Sequence, residues 1–390
     1  MLKHSRDIAF LSGAVYFIQG ALGISGIALP LFLRSLHWSV AEITAVSAVA
    51  GFPWVIKIIY GILSDTYPFF GYRRKSYLIL FSFISVLGWA SLVLMPSEKF
   101  WILTSMLLAN LGFAATDVIT DGLVVEHSNE FTSPIYQSIA WGSRSLGAVA
   151  SGFTGGWLAQ HWQPKEVFLL TMCLPLSVAL VAIWIIEKKV DKAPFKSPWG
   201  PVRSCFKLLF SSNIGFFSMI LFTASISAAF GLPFFFYMKE NLRFTETFLG
   251  LLSSIGWSGA MIGSFFYGRF LRKVSQKKLL RYAILINSVN IFSTLLIQNQ
   301  TTAFVLVFIG GVMGCLVMLP IMSSAASLTH QTGVEGTLFA VLMSIFNLGQ
   351  IAFGFMGGRV YHVIGLMPLI IVTGFLALFA LAFVERLNFD

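Results

Sequence analysis

Charge is the scarcest thing in this chain. Of its 390 residues only 11% are Asp, Glu, Lys or Arg, against about 25% in an ordinary soluble domain. That leaves too little polar surface to face water on all sides, which excludes a soluble enzyme. Cysteine is nearly absent as well. Cys173, Cys205 and Cys315 lie far apart with no CxxC or metal-type spacing, so neither a disulfide framework nor a zinc site is expected. There is no Walker A sequence, no glycine-rich dinucleotide loop and no nucleophile elbow, which argues against an ATP-driven pump and an intramembrane hydrolase. His127, His161, His330 and His362 stand at loop or helix ends without ligand spacing, so titrating surface histidines are expected. No cofactor and no metal follow from these absences.

Apolar side chains fill the space: they make up 57% of the chain, 39 of them Phe, and the mean hydropathy is +0.82. Barrel strands alternate apolar with polar residues and would average lower, so the composition predicts an all-α membrane protein. A spanning helix needs about 20 mostly apolar residues. Twelve stretches qualify, at 8 to 33, 42 to 63, 77 to 96, 100 to 126, 136 to 160, 166 to 187, 214 to 238, 246 to 270, 278 to 298, 302 to 324, 334 to 358 and 364 to 385. The basic start is followed by an apolar run too long for a signal peptide, so it reads as a retained first helix. With that end inside, 18 cations fall on the cytoplasmic side and six on the other. The positive-inside rule then puts both termini in the cytoplasm of a bacterial inner-membrane protein. The same asymmetry accounts for the net charge of +10, which reflects topology and anionic lipid rather than nucleic acid.

An internal repeat organises the spans. Gly147, Gly152, Phe153, Gly155 and Gly156 recur as Gly349, Gly354, Phe355, Gly357 and Gly358, an offset of 202, and Leu29, Pro30 and Phe32 recur as Leu232, Pro233 and Phe235. Two pseudo-symmetric six-helix bundles are therefore expected, over 1 to 190 and 214 to 390, joined by a basic cytoplasmic linker over 191 to 213. Twelve spans in parallel repeats around a basic central loop describe a secondary transporter of the major facilitator fold, with its site near the midplane between the halves.

Certain residues carry a closer likeness. Gly61-Ile-Leu-Ser-Asp65 followed by Gly71-Tyr-Arg73-Arg74-Lys75 resembles the loop after the second span of the major facilitator superfamily, lengthened by Tyr-Pro-Phe-Phe. Gly61 is expected to let helices approach closely. Asp65 with Arg73 and Arg74 is expected to form a cytoplasmic gating latch, whose second-half counterpart at Gly268 has lost the acid. Pro53-Trp54-Val-Ile-Lys57, Asp117-Val-Ile-Thr-Asp121-Gly-Leu-Val-Val-Glu126 and Gln137-Ser-Ile-Ala-Trp141-Gly-Ser-Arg144 together resemble the folate-biopterin transporter family. Ile58 and Gly122 depart from that family's usual proline and alanine. The resemblance implies uptake of pterins or folates, coupled to protons.

Four full charges lie inside apolar spans: Lys57, Asp117, Asp121 and Arg144. Left facing lipid, each costs about 2.5 to 3.5 kcal/mol even on lenient scales, so they are expected to face one another or water. Helical rise puts Lys57, Asp117 and Arg144 at one depth, with Asp121 a turn nearer the cytoplasm. Arg144 is expected within ion-pair reach of Asp117 or Asp121, with Lys57 in the same cluster. A purely structural network of buried ions is the plain alternative. The second half lacks these charges and is expected to supply apolar wall through Phe230, Phe234, Met318 and Phe346. Trp54 and Trp141 offer flat faces for a ring system, packing being their ordinary use.

The expected function is a proton-coupled carrier, acting as a monomer, for a folate- or pterin-like anion, with Arg144 and Lys57 reading its charge and Asp117 and Asp121 taking protons. A carrier or exporter of another planar or amphipathic solute, and a non-transporting receptor or scaffold on the same fold, are the competing expectations.

Overall fold

Long apolar runs fold as helices, and some of them break at Gly and Pro. The computed structural model describes residues 3–127, 133–184, 187, 189, 199–271, 274–329 and 335–388, and among these the chain is helical nearly throughout. The first span is α1 (Lys3–Ala21), a 3-10 turn at Leu22–Ser25 and α2 (Ala28–Ser35). The second is α3 (Val40–Ala50) and α4 (Lys57–Thr66), separated by a 3-10 turn at Phe52–Trp54. Gly51 and Pro53 make that break: one adds backbone freedom and the other has no N–H to give. Then come α5 (Lys75–Leu94), α6 (Lys99–His127), α7 (Ser133–His161) and α8 (Pro164–Ile183).

Where the linker was expected there is a short helix, α9 (Trp199–Leu209). Pro201 sits in its first turn, where a missing N–H costs nothing, Cys205 is buried and Arg203 and Lys207 face out. Residues 190–198, with most of the expected linker prolines, lie outside the described residues. The second half runs α10 (Ser212–Ala224), α11 (Ala228–Phe236), α12 (Glu246–Phe266), α13 (Gln276–Ser293), α14 (Gln300–Thr329), α15 (Glu335–Ile364), α16 (Leu366–Leu378) and α17 (Leu381–Val384).

Eleven stretches among the described residues are long and apolar enough to cross a bilayer. The twelfth helix of the fold is α7, 29 residues long, which covers the expected stretch 136 to 160 but is more polar than the others through its Ser, Gly and Gln. Its glycines explain why. A Cβ on Gly20 of α1 would land on the backbone of Arg144 and Ala148, and one on Gly147 on that of Phe17 and Ala21. The α1 and α7 backbones touch, and only glycine allows that distance.

Packing divides the chain into two units, one formed by Met1–Leu36, Ala50–Pro198 and Glu246–Ser254, the other by His37–Val49, Trp199–Thr245 and Ile255–Asp390. The first is centred on Leu78, Phe113, Ile119 and Val178. The second is centred on Phe217, Leu221, Leu280, Ile321 and Leu338. The repeated glycines do equivalent work in each. In the first unit Gly147 and Gly155 meet the first span at Phe17 and Ile24, while Gly152 and Gly156 meet Ser254 and Gly250. In the second, Gly349 and Gly357 meet the seventh span at Phe222 and Ala229, and Gly358 meets Thr44 and Ala41 of α3.

Candidate functional site

The break in the second span decides where its lysine goes. Lys57 is the first residue of α4, a poor place for a cation because the helix dipole is positive there. Asp117 of α6 offsets this, its Oδ2 accepting from Lys57 Nζ at 2.7 Å. Asp117 is only 4% exposed, so the pair is held away from water and each charge depends on the other. Lys57 Nζ also lies 4.7 Å from the centroid of the Trp54 ring. The Trp54 indole N–H donates to Asn110 Oδ1 at 2.9 Å, and the Asn110 amide donates to the Met106 carbonyl.

The first span supplies two groups that charge counting passes over. Tyr16 and Gln19 lie three residues apart on α1, and Asp117 and Asp121 four apart on α6, so each pair shares one helical face. Tyr16 Oη donates to Asp121 Oδ1 at 2.7 Å, and Gln19 Nε2 donates to Asp117 Oδ1 at 3.1 Å. The antiparallel helices thus carry two polar rungs. The signal was present in the sequence as Tyr16-x-x-Gln19 opposite Asp117-x-x-x-Asp121, but neutral side chains carry no insertion penalty large enough to single them out.

Arg144 joins this neighbourhood from α7, with its charge acting on both Asp121 and Tyr16. Its guanidinium carbon stands 5.0 Å from the centroid of the Trp141 ring, one turn back on the same helix. The salt bridge to Asp117 is made by Lys57. The cause is the broken second span, which starts α4 at the depth of Asp117. Trp141 is 37% exposed and keeps ring surface open, whereas Trp54 has its N–H and one face in use.

In the second unit Phe230 and Phe234 are 6% and 9% exposed and meet edge to face at 6.5 Å. Phe234 also stacks on Tyr237. Both rings are largely covered by neighbouring side chains. Phe346 packs on the second unit's core while its carbonyl accepts from Ser225 Oγ, and Met318 is partly buried.

At the cytoplasmic loop, Asp65 Oδ1 accepts from Arg73 Nη2 at 3.0 Å and from Arg74 Nη2 at 2.6 Å. Glu126, at the end of α6, meets the same guanidiniums at 3.0 and 2.7 Å. Arg74 is itself buried and also donates to Ser64 Oγ at 2.6 Å. Glu187 fastens the loop from the other side, accepting from the backbone N–H groups of Arg73, Arg74 and Lys75 and so capping α5. Gly61 does not mark a close approach, because a Cβ there would meet Val118 Cγ1 at an ordinary 3.5 Å. Gly122 does: a Cβ there would come within 2.8 Å of the Arg74 guanidinium. The departure from alanine at this position makes room for the arginine.

Among the described residues no cluster of His, Cys, Asp and Glu could hold a metal ion. Long apolar helices, some with charged side chains inside their runs, place the chain among integral membrane proteins. Solved structures agree on the fold. A variant of the nucleoside transporter NupG superimposes with a TM-score of 0.80 at 13% identity, covering 98% of this chain and 100% of that one. A POT family transporter in complex with 5-aminolevulinic acid gives 0.77 at 14% identity, covering 96% and 95%. Within that class, the chain belongs to the BT1 family, whose model matches residues 19–388. A folate-biopterin transporter of Synechocystis sp. is 30% identical over 410 residues, covering 97% of this chain and 81% of the relative. Folate transporter 1 of Plasmodium falciparum is 27% identical, covering 88% and 71%. The chain is an integral membrane protein of a transporter family and not an enzyme.

Proposed function

We propose that this protein carries a folate- or pterin-like anion across the bacterial inner membrane by alternating access, in symport with protons, acting as a monomer with both termini cytoplasmic. The observation that carries the reading is a charge cluster buried in the spans of a chain whose relatives are folate and folate-biopterin transporters. Arg144 offers a carboxylate the planar fork that suits it. Lys57 adds a second cation, and the open face of Trp141 suits a flat heterocycle better than the occupied Trp54. Met318 and Phe346 would add apolar contact without charge. Asp117 and Asp121 balance the two cations when both are ionised. A proton on either acid leaves the cluster with a net positive charge, and an anion then restores neutrality. Asp65, Arg73 and Arg74, with Glu126, would serve as the latch that opens and closes with the transport cycle, and Gly61 is left to a minor part in it.

Uptake of labelled folic acid into liposomes containing the purified protein tests this, with unlabelled folate, biopterin and a nucleoside as competitors. Competition by folate and biopterin but not by the nucleoside is expected. Preference for the nucleoside would favour a carrier of another planar solute, and absence of any uptake would favour a receptor or scaffold.

A further inference from the structure

The two aspartates differ in what holds them. Asp117 accepts from Gln19 on one oxygen and from Lys57 on the other. Asp121 accepts at Oδ1 from Tyr16, its only hydrogen-bonding partner among the described residues. No cation lies within salt-bridge distance of Asp121 there. The charged and titratable groups facing it are Tyr16 from α1, Lys57 from α4, Arg144 from α7 and Asp117 on its own helix.

Protonating Asp117 would break a short salt bridge and strand the Lys57 ammonium beside a neutral acid, the expensive outcome for a buried pair. Protonating Asp121 breaks no salt bridge. The arriving proton can sit on Oδ2, which accepts no hydrogen bond among the described residues, while Oδ1 keeps the Tyr16 hydroxyl. The phenol suits this because it donates to a carboxylate and to a carboxylic carbonyl alike, so the rung survives both states.

We infer that the two acids divide the work: Asp121 is the proton-binding carboxyl, Asp117 is the standing partner of Lys57, and Tyr16 is the positioning residue that holds Asp121 for protonation. The inference rests on the proton-coupled reading above and gives it one address. A proton from the aqueous phase forms the O–H bond of a neutral Asp121 carboxyl, and the charge that Asp121 had offered Lys57 and Arg144 disappears. Lys57 keeps its salt bridge to Asp117 throughout.

The test is an infrared difference spectrum between alkaline and acid pH, recorded on the full chain in liposomes without substrate, so it stays informative even if folate is not the cargo. Failure of folate uptake by the wild-type protein would overturn the proposed substrate alone. The wild type and Asp117→Asn should both show the band of a buried protonated carboxyl, and Asp121→Asn should lose it. Tyr16→Phe should keep the band at an altered frequency and with a displaced titration midpoint, a change that packing by the ring cannot cause. Should Asp121→Asn not fold, Asp121→Glu serves instead, since moving the carboxyl by one methylene must shift the same band. A band lost in Asp117→Asn but intact in Asp121→Asn would overturn the assignment. An unchanged frequency and midpoint in Tyr16→Phe would overturn the role of the tyrosine.

Discussion

At the scale of single residues, the account rests on ions that cannot be removed one at a time. Lys57→Met leaves Asp117 buried and unpaired, and a loss of about 3 to 5 kcal/mol in stability is expected. The paired change Lys57→Met with Asp117→Leu should recover most of it, because neither charge is left to be solvated. Thermal unfolding in detergent compares the three proteins. A double variant no more stable than the single one would show that the pair is not energetically coupled. Gly122→Ala is the second residue-scale prediction: the added methyl presses on a guanidinium fastened to Asp65, Glu126 and Ser64, and overpacking of this kind costs about 1 to 3 kcal/mol. Arg74→Lys in the Gly122→Ala background should relieve the clash, and a stability equal to that of Gly122→Ala alone would contradict the steric account. Residue by residue, charge was the legible part. Lys57, Asp117, Asp121 and Arg144 announce themselves because each is costly in lipid. Tyr16, Gln19 and Glu187 do not, since their partners are set by how helices cross and by where a loop folds back.

At the scale of elements, most glycines of the two sets related by the offset of 202 lie where helix backbones or side chains approach closely. Gly147→Val should separate α7 from α1, pulling Arg144 away from the rungs that Tyr16 and Gln19 make with α6. The obstruction is backbone and cannot rotate aside, so the loss should exceed the about 1 to 3 kcal/mol usual for overpacking, read as reduced thermal stability in detergent. An unchanged stability would mean the contact is looser than described. Breaks inside spans were harder to foresee. Pro53 marks one, yet it is the start of α4 at Lys57 that decides which aspartate the lysine reaches. The far end of the second unit offers a pH test. Arg281 grips Glu385 through two hydrogen bonds of 2.6 Å, and Lys277 donates to the Glu385 and Leu387 carbonyls. The grip of Arg281 holds the Glu385 carboxyl below the usual carboxylate range. A lowered value means the clip is fully formed above the ordinary glutamate range and is lost as pH falls through the folded value. Amide hydrogen exchange over 381 to 388, corrected for its intrinsic pH dependence, should therefore be slow at neutral pH and faster in acid, while in Glu385→Gln it should be fast at both.

At the scale of the whole molecule, twelve helices and their pairing into repeats were readable from apolar runs and glycine spacing, because a bilayer fixes span length and small residues fix close approach. The fifth span shows the limit. Its helix α7, foreseen as the stretch 136 to 160, is more polar than the eleven spans that stand out by hydropathy. The different partners of the two acids were not readable at all, since two aspartates one turn apart look alike until the helices around them are placed. The measurement that bears most directly on the account is folate movement in liposomes under two regimes: exchange at equal pH on both sides, and accumulation against a gradient with an imposed pH difference. The wild-type protein should do both, and accumulation should collapse when a protonophore removes the pH difference. Asp121→Asn should keep exchange and lose accumulation. Accumulation that persists in a folded Asp121→Asn protein, or in the wild type after the gradient is abolished, would contradict the central claim that an anion and a proton share this cluster.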